Sequence, residues 1–165
     1  MFKKIGIILL CLALMCSFTL FALGSGEEEG SEDQGTSAAE KDENGSNLGD
    51  YNIEITSCRL AKDYEDKDIV IVKYKYTNNS DNPTSFMVAV DCTVYQDGVG
   101  LNECYIAADS ANYSSDNQSK EIKKGATIEV EEAYVLNDST TDIEVEVEEL
   151  ISFSDKKITK KFSIK

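Results

Sequence analysis

Two long segments in the middle of the chain alternate apolar and polar side chains with a period of two. Within residues 68–78, one face carries Val70, Val72, Tyr74 and Tyr76, and the other carries Ile71, Lys73 and Lys75. From residue 86 onward, one face carries Phe86, Val88, Val90 and Val94, and the other carries Met87, Ala89, Asp91, Thr93 and Tyr95. A period of two is typical of half-buried strands, so the pattern predicts the centre of an antiparallel β domain.

Shorter alternating runs extend this domain over residues 51–165. Ile53 and Ile55 alternate with polar neighbours before the phase changes toward Cys58, which predicts a β-bulge in a first strand at a sheet edge. Three further strands are predicted within residues 120–136, 142–150 and 157–165. No stretch has a helical period. About seven strands joined by polar turns predict an all-β fold, an antiparallel β-sandwich.

One hairpin and one loop have clear local signals. Asp97 and Gly98 stand between alternating flanks, which predicts a tight hairpin with residues 101–108 as the return strand. Residues 109–119 contain turn-forming side chains throughout and are expected to be an exposed loop. Within that loop, Tyr113 is the candidate exposed anchor for a partner, and the alternative is that its ring is packed.

The N-terminal part of the chain has the pattern of an export signal. Lys3 and Lys4 precede an apolar run, after which the chain becomes small and acidic. The small residue Gly24 predicts cleavage at that point, so residues 1–24 are assigned as a signal peptide; the alternative is an uncleaved N-terminal membrane anchor. Residues 25–50 are acidic and rich in Gly and Ser, which predicts a disordered linker. The domain at residues 51–165 is therefore expected outside the cytoplasm, secreted or tethered to the outer face of the membrane.

Four stretches of the domain carry a resemblance to a known group of proteins. They are "SCRLAKDY", "YTNNSDNPTSF", "VYQDGV" and "ELISFSDKKITK". Together they resemble the immunoglobulin-like, domain-of-unknown-function lipoproteins and exported proteins of Gram-positive bacteria. The resemblance implies an immunoglobulin-like β-sandwich on the outer side of a membrane, with no catalytic residues to carry over. Members of that group commonly end the signal in a lipidated cysteine, where this chain has Ser25.

Charge and composition exclude several kinds of function. The net charge is −15, which repels phosphate backbones and anionic membrane surfaces, so no nucleic-acid partner is expected. There is no histidine, which removes the commonest general base, the Ser-His and Cys-His pairs and most zinc and copper sites. The glutamates that alternate along predicted strands are expected on solvent faces: Glu129, Glu131, Glu144, Glu146 and Glu148. No catalytic residue and no cofactor are assigned.

One acidic turn is a weak candidate for calcium. Asp63, Glu65, Asp66 and Asp68 offer oxygen ligands between the first two strands. Their spacing matches no calcium loop with its required glycine, and lysines are interleaved with them. A solvated acidic turn is the favoured interpretation.

Three cysteines lie in the domain, and an oxidising compartment allows one disulfide among them. A two-residue hairpin turn aligns Cys92 with Glu103, so a bridge from Cys92 to Cys104 requires a bulge. Buried free thiols, including Cys58, are the alternative.

These observations favour a non-catalytic, extracytoplasmic binding or structural module of the bacterial cell envelope. Its partner would be an envelope protein or a glycan, with membrane attachment only through an uncleaved N-terminal anchor. The alternative function is an extracytoplasmic enzyme, or an enzyme inhibitor, that acts through carboxylates alone.

Overall fold

The computed structural model describes residues 46–105 and 112–164, which form an all-β domain. Its elements are β1 (Asn47–Leu48), β2 (Tyr51–Lys62), β3 (Asp68–Asn78), α1 (Phe86–Ala89), β4 (Val90–Gln96), β5 (Val99–Gly100), β6 (Thr127–Val135), β7 (Ile143–Glu149) and β8 (Lys157–Phe162). The expected signal peptide and most of the expected linker lie outside the described residues. Among those residues, the single helix is far too short to cross a membrane.

The strands form two antiparallel sheets of four strands each. The first sheet has the order β1-β2-β3-β6, and the second has the order β5-β4-β7-β8. With β1 set aside, the sequence of strands matches the A-B-E and C′-C-F-G sheets of the immunoglobulin arrangement. The prediction of an all-β, immunoglobulin-like sandwich is confirmed.

The inner face of β3 forms the centre of the core. Val70, Val72, Tyr74 and Tyr76 are all fully buried, as their alternation predicted. They face the buried side chains of β4 and β7 across the sandwich, including Val94. Because both sheets contribute a complete apolar face, the interior is closed by side chains.

The predicted bulge in β2 is also confirmed. The register with β3 shifts between Ile55, which pairs with Tyr74, and Ser57, which pairs with Lys73. The extra residue, Thr56, donates its hydroxyl to the carbonyl of Lys73 at 2.9 Å. The bulge keeps apolar residues on the inner face on both sides of the phase change.

The second central segment differs from its prediction in two respects. Residues 86–89 form one helical turn before β4 begins, so Phe86 and Ala89 are buried while Met87 and Val88 are exposed. The prediction that Val88 shares a face with Phe86 was wrong, because Phe86 and Ala89 are three apart on a helical turn and share the buried face instead. In addition, β3 and β4 lie in different sheets, with residues 79–89 crossing between them.

The predicted return strand at residues 101–108 is not formed over residues 101–105, the part of it that the structure describes. The hairpin forms, with Gln96 paired to Val99, but β5 ends at Gly100. The chain then crosses to the first sheet, where Cys104 N donates to Ala133 O at 2.9 Å. Because β6 is the edge strand of that sheet, this crossing pairs backbone groups that would otherwise lack partners.

A smaller apolar cluster covers the outer face of the first sheet. Ile69 and Ile71 are buried there together with Ala133 and Tyr113. Tyr113 is only 5% exposed, so the expectation that it is an exposed anchor was wrong, and the packed alternative is correct. The two isoleucines make both faces of β3 apolar at one end, and a loop side chain has to cover them.

Candidate binding groove

A concave surface lies at one end of the second sheet. Its volume is about 630 Å³, within the size range of small-molecule sites. It is lined by Tyr95, Asp97, Gly98, Thr140, Thr141, Asp142, Ile143, Glu144 and Lys161. We call this surface the polar groove, because hydroxyl and charged groups predominate in its lining.

The floor of the polar groove is a row of side chains across three strands. Tyr95 on β4 pairs with Glu144 on β7, and Glu144 pairs with Lys161 on β8. The ammonium of Lys161 lies 3.3 Å from a carboxylate oxygen of Glu144. On its other side Tyr95 pairs with Gly100, which has no side chain to cover the tyrosine ring.

One rim of the groove is the hairpin turn between β4 and β5. Asp97 and Gly98 have φ values of 49° and 76°, the left-handed conformation of a type I′ turn. A side chain at Gly98 would meet no other atom within 4 Å, so the glycine is required by its backbone conformation. The turn therefore sets the backbone that carries Asp97 at this rim of the groove.

The other rim is the loop between β6 and β7, and the buried side chain of Gln96 attaches it to the hairpin. The amide nitrogen donates to the carbonyls of Asp138 and Thr141 at 3.0 and 2.8 Å. The amide oxygen accepts from Asn137 N at 2.8 Å. Since Gln96 immediately precedes the hairpin turn, one side chain positions both rims.

The same loop is fixed internally by Asp138. Its carboxylate accepts from Thr140 N and Thr141 N, both at 2.7 Å, and from the Thr140 hydroxyl at 2.8 Å. These bonds favour the ionised form and lower the pKa of Asp138 well below its ordinary value. The groove is therefore bounded by two loops whose conformations are set before any ligand arrives.

The lining groups define what the groove can bind. The Tyr95 ring offers an aromatic surface, the threonines offer hydroxyls, and Asp97 and Asp142 add carboxylates that the Lys161–Glu144 pair does not neutralise. Such a surface can accept hydrogen bonds from a ligand rich in hydroxyl or amine donors and disfavours phosphate. The alternation along β7 predicts Glu144 on an outer face, as observed, but gives no sign that it lies beside Thr140 and Asp142.

A second feature is a carboxyl group between the two sheets. Glu132 has the same parity on β6 as the buried Val130 and Tyr134, and it accepts a hydrogen bond from the Tyr134 hydroxyl at 2.8 Å. Burial raises the pKa of Glu132 from 4.5 to about 7. The Tyr74 hydroxyl is fully buried and has no hydrogen-bond partner among residues 46–105 and 112–164. Glu132 is not among the residues predicted from the sequence to be functional, although its place two residues after the inward Val130 is a visible signal.

The calcium candidates are engaged in contacts within their own turn. Asp68 pairs with Lys62 at 2.8 Å, and Glu65 pairs with Lys67. An oxygen of Asp63 accepts from the backbone amides of Glu65 and Lys67 at 2.8 and 2.9 Å. Across residues 46–105 and 112–164, no three acidic or thiol side chains are grouped as metal ligands.

The glutamates expected on solvent faces also lie in ion pairs. Glu129 and Glu131 approach Lys73, Glu144 approaches Lys161, and Glu146 and Glu148 both approach Lys157 at 3.2 and 3.4 Å. Cross-strand pairs of opposite charge of this kind stabilise a sheet modestly. They are parts of the sheet surfaces rather than a converging carboxylate pair.

The three cysteines of the domain are free thiols in this structure. Cys92 packs against the main core, while Cys104 packs in the smaller cluster on the outer face of the first sheet. The expected alignment of Cys92 with Glu103 is not formed, because β5 ends at Gly100 and Cys92 pairs with Val147.

Comparison with known proteins gives one family. A family model described as a domain of unknown function (DUF5067) matches residues 26–149, which is most of the chain. The matched region includes residues 26–50 of the candidate linker and every strand up to β7, and it ends before β8. No curated protein and no solved structure matches the chain.

Proposed function

The chain belongs to the DUF5067 family, and we propose that its sandwich is a non-catalytic, extracytoplasmic binding module of the bacterial cell envelope. The export signal expected at residues 1–24 and the acidic linker expected at residues 25–50 support a location outside the cytoplasm. The polar groove is the binding site in this proposal. Its preorganisation by Gln96 and Asp138 is the observation that carries the proposal.

An envelope glycan fits the groove better than a protein partner. The groove is concave and predominantly polar, with a single aromatic ring at its floor. A sugar packs its C–H face on a tyrosine ring and donates its hydroxyls to carboxylates and threonine oxygens. Protein interfaces instead bury apolar and aromatic anchors in a flat or protruding patch, which the groove lacks.

The test is binding of envelope glycans to the full chain in detergent. Soluble wall and polysaccharide fragments are titrated calorimetrically into the wild type and into Tyr95→Ala and Glu144→Gln variants. We expect saturable binding by the wild type and a loss of at least tenfold in affinity for each groove variant, about 1.4 kcal/mol. Tyr105→Ala is the matched control, because Tyr105 is 85% exposed and lies outside the groove. Binding that survives both groove substitutions would contradict the proposal.

The second candidate function is an extracytoplasmic enzyme or inhibitor that acts through carboxylates. Glu132 favours it, because a carboxyl with a pKa of about 7 is suited to general acid or base chemistry. Its surroundings favour a structural role, since the Glu132 carboxylate accepts a hydrogen bond from the hydroxyl of Tyr134, a residue of the main core. Turnover of a glycan or peptide that is lost in Glu132→Gln and retained in Tyr95→Ala would identify the enzyme.

A further inference from the structure

Five apolar side chains are exposed at one end of the sandwich, on α1 and on the loop between β7 and β8. They are Met87, Val88, Leu150, Ile151 and Phe153, with exposed fractions of 55, 58, 48, 79 and 108%. Leu150 N donates to Ala89 O at 3.1 Å, which joins the loop to the helix. We call this surface the apolar tip. An exposed group of apolar side chains of this kind marks an interaction surface.

The chain enters the domain at the same end. The turn between β1 and β2 contains Gly49, whose backbone packs directly against Glu149, the residue before the tip. A side-chain carbon at Gly49 would lie only 2.8 Å from a carboxylate oxygen of Glu149. The tip and the entry point are therefore neighbours, whereas the turn between β2 and β3 lies at the far end of β2, roughly 36 Å away for a strand of this length.

The length of chain before the domain limits how far the tip lies from an N-terminal anchor. The apolar run at residues 5–23 is separated from β1 by residues 24–46. As the disordered linker expected from the sequence, this length would span roughly 26 Å. In a chain that keeps its N-terminal anchor, a linker of this length would hold the tip close to the bilayer and raise its effective concentration at the lipid surface.

The shape and charge of the tip favour lipid over a second copy of the chain. Phe153 is as exposed as a side chain can be, so it protrudes and presents no concave surface to a partner. Residues 150–154 contain no charged side chain. Two copies, each with a net charge of −15, repel one another, and the same charge disfavours an anionic membrane.

We infer that the apolar tip inserts into the interfacial region of a zwitterionic bilayer, on the outer face of the membrane that anchors the chain. The inference rests on the envelope location in the proposed function and on the alternative in which residues 1–24 stay uncleaved as a membrane anchor; it is independent of the groove. Insertion removes Ile151 and Phe153 from water and orients the sandwich with the β2–β3 turn pointing away from the membrane. The domain then has a fixed orientation relative to the membrane instead of rotating freely on its linker.

A single-tryptophan experiment tests the inference, because the chain has no tryptophan. The full chain carrying Phe153→Trp is reconstituted into phosphatidylcholine vesicles made with and without brominated acyl chains. Tyr64→Trp is the matched control, since Tyr64 is 72% exposed in the turn at the opposite end. We expect the tryptophan at position 153 to shift to the blue and to lose several-fold in intensity with brominated lipid. The tryptophan at position 64 should do neither, and adding Ile151→Asp to the first variant should abolish both effects.

Three results would overturn the inference. Vesicles that carry the chain but do not quench the tryptophan at position 153 would refute tip insertion alone and leave the proposed function standing. A blue shift that needs no lipid and grows with protein concentration would show that a second copy covers the tip. A chain that does not float with the vesicles would remove the membrane anchor itself, and with it both the inference and the tethered form of the proposed function.

Discussion

The side-chain amide of Gln96 donates to the backbone carbonyl of Thr141 at 2.8 Å, across 45 residues of sequence. This bond joins the hairpin turn after β4 to the loop after β6. Both rims of the polar groove therefore depend on one buried side chain.

Replacing Gln96 by Ala is expected to destabilise the domain and to open the groove. The substitution leaves the carbonyls of Asp138 and Thr141 without their donor, at a cost of about 2 kcal/mol in the free energy of unfolding. Urea denaturation measures the loss. Thr140→Ala is the control, because its hydroxyl makes one exposed bond and its removal should have a small effect. Equal midpoints for Gln96→Ala and the wild type would refute the role given to this side chain.

The raised pKa of Glu132 predicts a pH dependence of stability. Below pH 4.5 the carboxyl is protonated in both folded and unfolded chains. Between pH 4.5 and about 7 the unfolded chain loses the proton first, so this group makes stability fall as the pH rises, by on the order of 3 kcal/mol in all. Above about pH 7 its contribution is constant.

Urea unfolding of the wild type and of Glu132→Gln at pH 4.5 and pH 8 tests this dependence. We expect the variant to gain stability relative to the wild type on going to pH 8, because an amide has no proton to lose. Glu129→Gln serves as the control, since Glu129 is exposed on the outer face of the same strand. If the free energy of unfolding differs between Glu132→Gln and the wild type by the same amount at pH 4.5 and at pH 8, the raised pKa of Glu132 is contradicted.

Tyr113 is expected to stabilise the domain through packing. Its ring covers Ile69 and Ile71 on the outer face of the first sheet, so Tyr113→Ala should cost about 3 kcal/mol. The matched substitution Tyr64→Ala removes an exposed tyrosine and should change the free energy of unfolding little. Similar thermal midpoints for the two variants would show that the smaller cluster contributes little.

The geometry of the hairpin predicts different effects on stability for alanine at Gly98 and at Gly100. Gly98→Ala should cost about 1 kcal/mol, because φ at this position is +76° and the added methyl group gains no contact. Gly100→Ala should be tolerated, since its methyl group would meet Thr93 and Tyr95 at an ordinary 3.8 Å. Thermal unfolding of both variants checks the difference, and a larger loss at position 100 would contradict the turn assignment.

The placement of the three cysteines predicts that the domain forms no disulfide bond. Cys92 and Cys104 pack in different clusters, and burial raises the pKa of both thiols, which disfavours the reactive thiolate. Thiol titration of the exported protein, unfolded without reductant, should find Cys58, Cys92 and Cys104 all free. A Cys92–Cys104 crosslink in peptide mass spectrometry would show that this end of the domain rearranges on oxidation.

Much of the fold followed from local patterns. The alternation of Val70, Val72, Tyr74 and Tyr76 identified the inner face of β3, and the Asp97–Gly98 turn was found from two residues. The prediction that Tyr113 is exposed was wrong. A tyrosine among turn residues has the same sequence pattern whether its ring covers a strand or faces solvent, so the sequence could not decide between the two.

The sequence by itself determined that the domain is built of antiparallel strands, where one bulge and one hairpin lie, and that no histidine chemistry is available. Each of these depends on neighbouring residues or on composition alone. The tertiary structure decided which sheet each strand joins, that residues 102–104 pair with β6, that Gln96 fixes both rims of the groove, and that Glu132 lies between the sheets. Those relationships join residues far apart in the chain, and side-chain alternation specifies a face of a strand but not the partner that covers it.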